Sequence, residues 1–300
     1  MTTENNRVHV SLARMAEPHI RVGSRLYERM VTVYATWGIP LPAGLVRSSH
    51  YGGVGHYVEL DEHRYVATKD FLQHLPSHIP KTYFAGETLK NLPKGLYYLK
   101  DERSDDGKNI SIHAEGDLPE IVPENHQVQA EISPKLLKGR KFDIRVHVCA
   151  RRDGRMWATR NYLYRISDKK YVGDTELVGN LTNASLGHSN DSFYIEHKPD
   201  RVHDFDIDHE FYYSKIEAIL PSIYQDIFAV TNPRDNIQNP SDYFYLHGLD
   251  FMFDKDDRPY LIEINSPPGN APVLGMANYH TIYADAFRFV KSSSLNVIHY

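Results

Sequence analysis

Two carboxylates and an amide near the end of the chain are suited to bind a divalent cation. Asp250 precedes a polar, turn-forming segment at residues 255–259, and Glu263 and Asn265 follow it, which predicts a hairpin of two half-buried strands. If the two aspartates inside that segment centre the turn, Asp250 lies opposite Glu263, and strict alternation points Ile262 to the other face. Opposed carboxylates repel each other, and Mg²⁺ would compensate them. The alternative is a pair of solvated acids on an exposed sheet face.

An upstream strand carries charged or polar residues at every second position. Lys141, Asp143, Arg145 and His147 alternate with apolar residues, so they share one face of the strand. Burying such a row of charges without partners is costly, and the face therefore either is a solvated, salt-bridged surface or lines a polar cleft. A hairpin turn follows this strand, and Arg160 on the next strand is a candidate to join the cleft.

A lysine at the end of a third strand is suited to hold phosphate groups. The apolar segment at residues 95–99 ends in Lys100, and a polar, glycine-containing loop at residues 101–110 comes directly after it. The lysine supplies a point charge, while a flexible loop can close over a triphosphate and exclude water. An ordinary connecting loop has the same composition, so this segment alone leaves both interpretations open.

Two helices are predicted to support these strands. Residues 208–230 carry an apolar stripe at helical spacing, in which Pro221 is expected to cause a kink. The last helix is predicted at about residues 281–292. Both are interpreted as packing elements rather than as parts of a site.

The composition restricts the possible partners. The chain has 300 residues, of which 41% are hydrophobic, and this is enough for a sizeable core. Its formal charge of −5 argues against nucleic-acid and anionic-membrane partners, because both require a positive surface. No segment approaches the roughly 20 apolar residues of a membrane span, and the start has no basic region followed by an apolar run. We therefore expect a soluble, cytoplasmic protein. The single cysteine, Cys149, excludes an intramolecular disulfide and a cysteine-based zinc site, and we expect a buried thiol.

Four short motifs occur together in one order and spacing. They are KFDIR at residues 141–145, LTN at 181–183, GLDFM at 248–252 and LIEIN at 261–265. With all four in view, the chain resembles the tubulin-tyrosine-ligase-like branch of the ATP-grasp superfamily from about residue 79 to residue 272.

This resemblance implies an α+β ATP-grasp fold, in which two α+β lobes clamp ATP after a small N-terminal α/β lobe. The implied boundaries are residues 1–75 for the N-terminal lobe on the substrate side, 76–132 for the central lobe with a phosphate lid, and 133–300 for the C-terminal lobe with the metal-binding hairpin. By position, the resemblance implies that the Mg²⁺ ligands are Asp250, Glu263 and Asn265. It implies a second set of residues around ATP, namely Lys81, Lys100, Gly107, Lys108, Gln129, Ala130, Glu131, Lys141, Asp143 and Asn183. The catalytic residues that it implies are Lys141, Arg145 and Arg160. Arg155 is the alternative to Arg160.

The resemblance also implies a reaction that requires ATP and Mg²⁺. ATP phosphorylates a carboxylate, and an amine attacks the acyl phosphate to give an amide, ADP and phosphate. Because the N-terminal region is short and the chain is acidic, we expect small-molecule partners, namely amino acids or small peptides. The alternatives are an enzyme that adds an amino acid to a protein tail such as that of tubulin, a catalytically inactive nucleotide-binding module, and a kinase with a hydroxyl acceptor. A basic channel beside the cleft would favour the protein tail.

Overall fold

The computed structural model describes a discontinuous set of residues. The described residues are 20–23, 27–28, 30–31, 35, 40–41, 45–48, 57–59, 66–102, 109–173, 175, 180, 182, 191–195, 199–231, 243–266, 268 and 279–291. Within them, strands dominate and three α-helices are present, which gives the mixed α+β character that the sequence predicts.

The strands form two sheets. In chain order they are β1 (Ile20–Gly23), β2 (Leu45–Ser48), β3 (Tyr57–Glu59), β4 (Thr82–Phe84), β5 (Leu96–Asp101), β6 (Ile110–Ala114), β7 (His126–Ala130), β8 (Phe142–Arg151), β9 (Met156–Ala158), β10 (Leu163–Ile166), β11 (Asp191–Tyr194), β12 (Tyr243–Phe253) and β13 (Pro259–Asn265). The large sheet has the order β11-β10-β8-β12-β3-β1-β2, with β13 paired to β12 and β9 to β8. The small sheet has the order β4-β7-β5-β6.

The α-helices whose bounds the structure describes are Pro199–Phe205 (α1), His209–Val230 (α2) and Tyr279–Lys291 (α3), and two short 3-10 helices lie at Asp70–His74 and Glu115–Asp117. Asp208 caps α2 because its side chain accepts a hydrogen bond from the Phe211 backbone N–H at 3.0 Å. Pro221 lies inside α2, which continues past it to Val230. None of the described helices combines the length and the apolar character that crossing a membrane requires.

The predicted alternation of β8 determines where the core lies. Its apolar residues, including Phe142 and Ile144, are buried against α2, where the Phe142 and Tyr212 rings pack edge to face with their centroids 5.5 Å apart. The opposite face changes character along the strand, because Cys149 is buried with residues of α3. The buried thiol agrees with the sequence-based expectation. On this face Asp143 and Arg145 lie toward the start of β8, whereas Arg151 at its end donates to the Val290 carbonyl of α3 at 3.2 Å.

The hairpin forms with the predicted pairing but departs from strict alternation. Asp250 lies opposite Glu263, as predicted, and the register then shifts so that Phe251 lies opposite Leu261. Ile262 is the extra residue of this β-bulge, and a bulge re-aims side chains locally. As a result Ile262 and Glu263 both line the same cleft. The prediction that Ile262 faces away from Glu263 is therefore wrong.

Residues 131–141 connect β7 of the small sheet to β8 of the large sheet, and the three N-terminal strands extend the large sheet. β3 pairs parallel to β12, and β1 and β2 follow it toward the edge. The proposed boundaries at residues 75 and 132 remain a prediction. The polar loop predicted to cover phosphate groups lies, at residues 103–108, outside the described part of the chain.

Candidate active site

A polar cleft lies between the two sheets. The small sheet contributes Lys100 and Gln129, and the large sheet contributes Asp143, Asp250 and Glu263. The space inside the cleft, including the solvent at its open mouth, is about 970 Å³. Charged and polar side chains from both sheets line this space.

Two arginines and two aspartates form a network on the large sheet. Arg145 binds Asp250 in a bidentate manner, with Nε–Oδ1 and Nη2–Oδ2 distances of 2.7 and 2.8 Å. Arg165 contacts Asp250 at 2.8 Å and also donates to Asp143, which accepts a second hydrogen bond from Thr182. Strand register explains this arrangement, because Asp250 lies opposite Arg145 and Arg165 lies opposite Asp143.

The carboxyl groups of the cleft differ in their pKa because their neighbours differ. Burial alone would raise the pKa of Asp250, but the charges of Arg145 and Arg165 lower it to about 2. Burial raises the pKa of Glu263, and the charge of Asp250 raises it further. Burial also raises the pKa of Asp143, against the effect of Arg165. Negative charge at Glu263 is thus poorly compensated by the protein, and a cation bound there would favour the ionised form.

The predicted metal ligands come together on one hairpin. Asp250 and Glu263 are cross-strand neighbours, and Asn265 donates its side-chain amide to Asp250 at 3.3 Å. Within the described residues, no three acidic, histidine or cysteine side chains form a ready-made metal site. Two carboxylates and an amide oxygen nevertheless form a hard oxygen donor set, which fits Mg²⁺ when substrate phosphates complete its coordination. The roles of these three residues remain a prediction.

Two lysines face the cleft from the small-sheet side. Lys100 is only 7% exposed, and its ammonium group donates to Gln129 at 2.6 Å. Burial lowers the pKa of Lys100 to about 8. Lys69, which the sequence analysis did not identify, also lines the cleft. The predicted nucleotide contact Lys81 does not, since it is exposed and lies over the Tyr83 ring at 5.0 Å.

The segment that joins the sheets contributes a buried ion pair. Ala130 and Glu131 line the cleft beside Gln129, as the resemblance implies for adenine. The Glu131 carboxylate pairs with the ammonium group of Lys141. Asn180 accepts a further hydrogen bond from this ammonium group at 3.0 Å.

The structure does not bring Arg160 into the cleft. Arg160 pairs with Glu210 and lies 4.3 Å from the centroid of the Tyr213 ring, so it contacts α2 on the opposite face of the large sheet. The alternative, Arg155, pairs with Asp153 at 2.6 Å. Arg165 occupies the position beside the carboxylates instead. The sequence does not indicate Arg165 because β10 has four residues and a single charge, and only its pairing with β8 places Arg165 beside Asp143.

Three of the predicted site residues cannot be placed. Gly107, Lys108 and Asn183 lie outside the described residues. Two neighbours of Asn183 in the chain, Asn180 and Thr182, do line the cleft. The segment that contains the LTN motif therefore reaches the site.

The match to a family model identifies the class of the chain. The model of the tubulin-tyrosine ligase family matches residues 89–296, which is more than half of the sequence. The chain therefore belongs to the tubulin-tyrosine ligase family. The expectation of an α+β, ATP-grasp-like fold is confirmed by this match together with the two antiparallel-rich sheets.

Curated relatives match parts of the chain. A probable tubulin polyglutamylase of Caenorhabditis elegans is 25% identical over 148 residues, which is 45% of this chain and 34% of that protein. A probable tubulin polyglutamylase of Bos taurus is 26% identical over 171 residues, which is 50% of this chain and 34% of that protein. A tubulin monoglycylase of Mus musculus is 46% identical over 46 residues, which is 15% of this chain and 5% of that protein. The matched segments thus cover about a third of the two polyglutamylases.

These relatives correct one expectation. Small-molecule amino-acid or peptide partners were expected from the short N-terminal region and the acidic composition. The relatives are instead named for modifications of tubulin, which is a protein. The net charge of the chain did not predict the kind of partner, because it averages over the whole surface and does not describe the loops around the cleft.

Proposed function

We propose that the chain is an ATP-dependent ligase that joins an amino acid to a carboxylate of a protein tail, as in tubulin, through an acyl phosphate. The observation that carries this proposal is the cleft in which Lys100 faces Asp250 and Glu263 from the opposite sheet. Cations and carboxylates on facing walls suit a Mg²⁺–triphosphate. The family match and the names of the relatives support the ligase reaction.

Six charged or polar side chains of the site have separate roles in this reaction. Lys100 would contact the phosphates as a point charge, while Arg145 and Arg165 would stabilise charge on the transferred phosphoryl group and the acyl phosphate. Asp250, Glu263 and Asn265 would hold Mg²⁺, which supplies charge neutralisation for the phosphates. Burial of these groups between two sheets limits water, which would otherwise hydrolyse an acyl phosphate.

Basic residues near the cleft support a protein tail as the acceptor. Lys138, Lys169 and Lys170 are exposed on two loops that flank Lys141 and Tyr171. The loops are held together, because the Tyr171 backbone N–H donates to the Gly139 carbonyl at 2.8 Å. An acidic tail would be attracted to such a surface even though the chain as a whole is acidic.

The test is ATP turnover in the presence of tubulin and one amino acid at a time. Glutamate and glycine come first, because the relatives include polyglutamylases and a monoglycylase. We expect release of ADP and phosphate together with a mass increase of the tubulin tail by the added residue. Release of AMP and pyrophosphate would contradict the acyl-phosphate mechanism. ATP binding without any turnover would favour the inactive nucleotide-binding module.

A further inference from the structure

A buried cluster at the junction of the two sheets has no part in the proposed reaction. The Glu131 carboxylate accepts hydrogen bonds from Tyr98 at 2.9 Å through Oε1 and from Tyr171 at 2.8 Å through Oε2. Lys141 pairs with the same carboxylate. Three side chains from separate parts of the chain, Tyr98, Lys141 and Tyr171, therefore meet at the Glu131 carboxylate.

These four residues belong to both sides of the cleft. Tyr98 is on β5 and Glu131 directly follows β7, so both belong to the small-sheet side. Lys141 directly precedes β8, and Tyr171 lies in the loop after β10, so both belong to the large-sheet side. Every contact of Lys141 or Tyr171 with Glu131 therefore links one sheet to the other.

The ammonium group of Lys141 is fully engaged within the protein. An ammonium group has three N–H donors, and those of Lys141 have Glu131, the Tyr98 hydroxyl and Asn180 as acceptors. The rings of Tyr98 and Tyr171 also lie near the ammonium group, with centroids at 5.2 and 4.6 Å. Lys141 is 1% exposed. Its donors are thus directed at the junction rather than at a nucleotide.

We propose that Glu131, Lys141, Tyr98 and Tyr171 form an interlobe clasp, in which Glu131 and Lys141 are positioning residues that set the separation of the two sheets at the ATP cleft. The proposal rests on the proposed function only in that the cleft binds ATP. The clasp gives Lys141 a different role from the one that the resemblance implies. Lys141 would hold the two sheets at the separation that ATP requires, and it would not contact the phosphates of ATP. The clasp then affects the affinity for ATP more than the rate of chemistry.

Tyr171→Phe is the sharpest variant, because it weakens the clasp from outside the cleft. Tyr171 is not among the residues that line the cleft, and the variant removes only its hydroxyl from the Glu131 carboxylate. We expect the dissociation constant for Mg²⁺–ATP, measured by calorimetry, to rise by roughly fivefold to tenfold. The turnover rate at saturating ATP should stay within about twofold.

Tyr97→Phe is the matched control. Tyr97 is the neighbour of Tyr98 on β5, and its hydroxyl donates to the Pro93 carbonyl at 2.7 Å on the other face of the small sheet. This variant also removes one tyrosine hydroxyl, but it leaves the clasp intact. We expect an unchanged affinity for ATP. An equal loss in both variants would show a general effect on the small sheet and would overturn the proposal.

A double variant separates a clasp from direct nucleotide contact. Lys141→Met leaves Glu131 buried without its cation, and adding Glu131→Met replaces the ion pair with an apolar pair of similar volume, an exchange that is often neutral. We expect the double variant to bind ATP at least about threefold more tightly than Lys141→Met. Equal or weaker binding, with Tyr171→Phe silent, would overturn the clasp. Failure of the wild-type protein to bind ATP would instead overturn the proposed function.

Discussion

Arg165→Met and Arg160→Met form a matched pair that tests which arginine serves the site. The two residues are five positions apart on consecutive segments, and both form ion pairs. Arg165 is 12% exposed and contacts Asp143 and Asp250, which are 6% and 3% exposed. Arg160 is 34% exposed, and its partner Glu210 is 72% exposed. The same substitution therefore removes a buried charge in one variant and a largely hydrated charge in the other.

The expected magnitudes follow from this difference in burial. Breaking a buried pair by removing one partner costs about 3–5 kcal/mol, because it leaves the remaining charge uncompensated. For Arg165→Met we expect the lower end, about 3 kcal/mol, since Asp250 keeps Arg145 and Asp143 keeps Thr182. For Arg160→Met we expect less than about 1 kcal/mol, as for exposed pairs.

Catalysis should separate the two variants more strongly than stability does. Removing one group that stabilises transition-state charge typically lowers the rate by about 10²–10³-fold. We expect that loss for Arg165→Met and a change within about twofold for Arg160→Met. The free energy of unfolding is measured by urea denaturation, and the variants are compared provided that their m values agree. The catalytic rate is measured as ADP release in the presence of the protein-tail substrate.

Arg165→Lys is a second variant for the case in which Arg165→Met does not fold. It keeps one positive charge between the two carboxylates but loses the planar fork that contacts both of them. If Arg165→Met unfolds the protein, Arg165→Lys should still fold and show an intermediate rate. An active Arg165→Met beside an inactive Arg160→Met would refute the reasoning, because burial and contacts would then not indicate the functional arginine.

Three further predictions concern the walls of the cleft. Glu263→Gln should abolish turnover in a protein with a normal unfolding transition, and an unchanged rate would remove the metal site from the hairpin. Burial lowers the pKa of Lys100 to about 8, and bound phosphates favour its charged form, so ATP affinity should be highest below pH 8 and fall above it by at most about tenfold per unit, until the higher pKa of the ATP-bound form is passed. Lys100→Met should bind more weakly and lose this dependence. Gly248→Ala should destabilise the protein by about 1 kcal/mol or more and lower activity, because the added Cβ would lie 3.0 Å from Pro268 and 3.5 Å from Arg145. Gly116→Ala, where nothing lies within 4 Å, is its control.

Local periodicity predicts the elements that carry most of the site. Strict alternation on β8 places Asp143 and Arg145 on one face, and turn composition gives the hairpin pairing of Asp250 with Glu263. Both features depend on residues close together in sequence. Helices α2 and α3 are predicted within about two residues for the same reason.

The features that sequence does not predict arise from contacts between distant segments. The bulge at Ile262 follows from how β13 fits β12 and not from its own composition. Arg165 reaches Asp143 only through the register of β10 on β8. Lys69 lines the cleft because its ammonium group donates to the Asp101 carbonyl at the end of β5 at 2.7 Å, whereas Lys81 lies over the Tyr83 ring of β4. In the two cases of Arg165 and Lys69, another residue nearby in sequence, Arg160 or Lys81, has the same chemistry.

The balance of charge in the cleft connects these groups to the proposed reaction. Asp143, Asp250 and Glu263 oppose Arg145 and Arg165 on the large sheet, which leaves one negative charge when all are ionised. Lys69 and Lys100 bring the cleft to one positive charge, and the Glu131–Lys141 pair cancels within the clasp. A nucleoside triphosphate carries several negative charges more than this surplus can neutralise. The walls therefore suit a triphosphate only when a divalent cation accompanies it. Under the proposed function that cation would bind at Glu263, whose pKa is raised by burial and by the charge of Asp250.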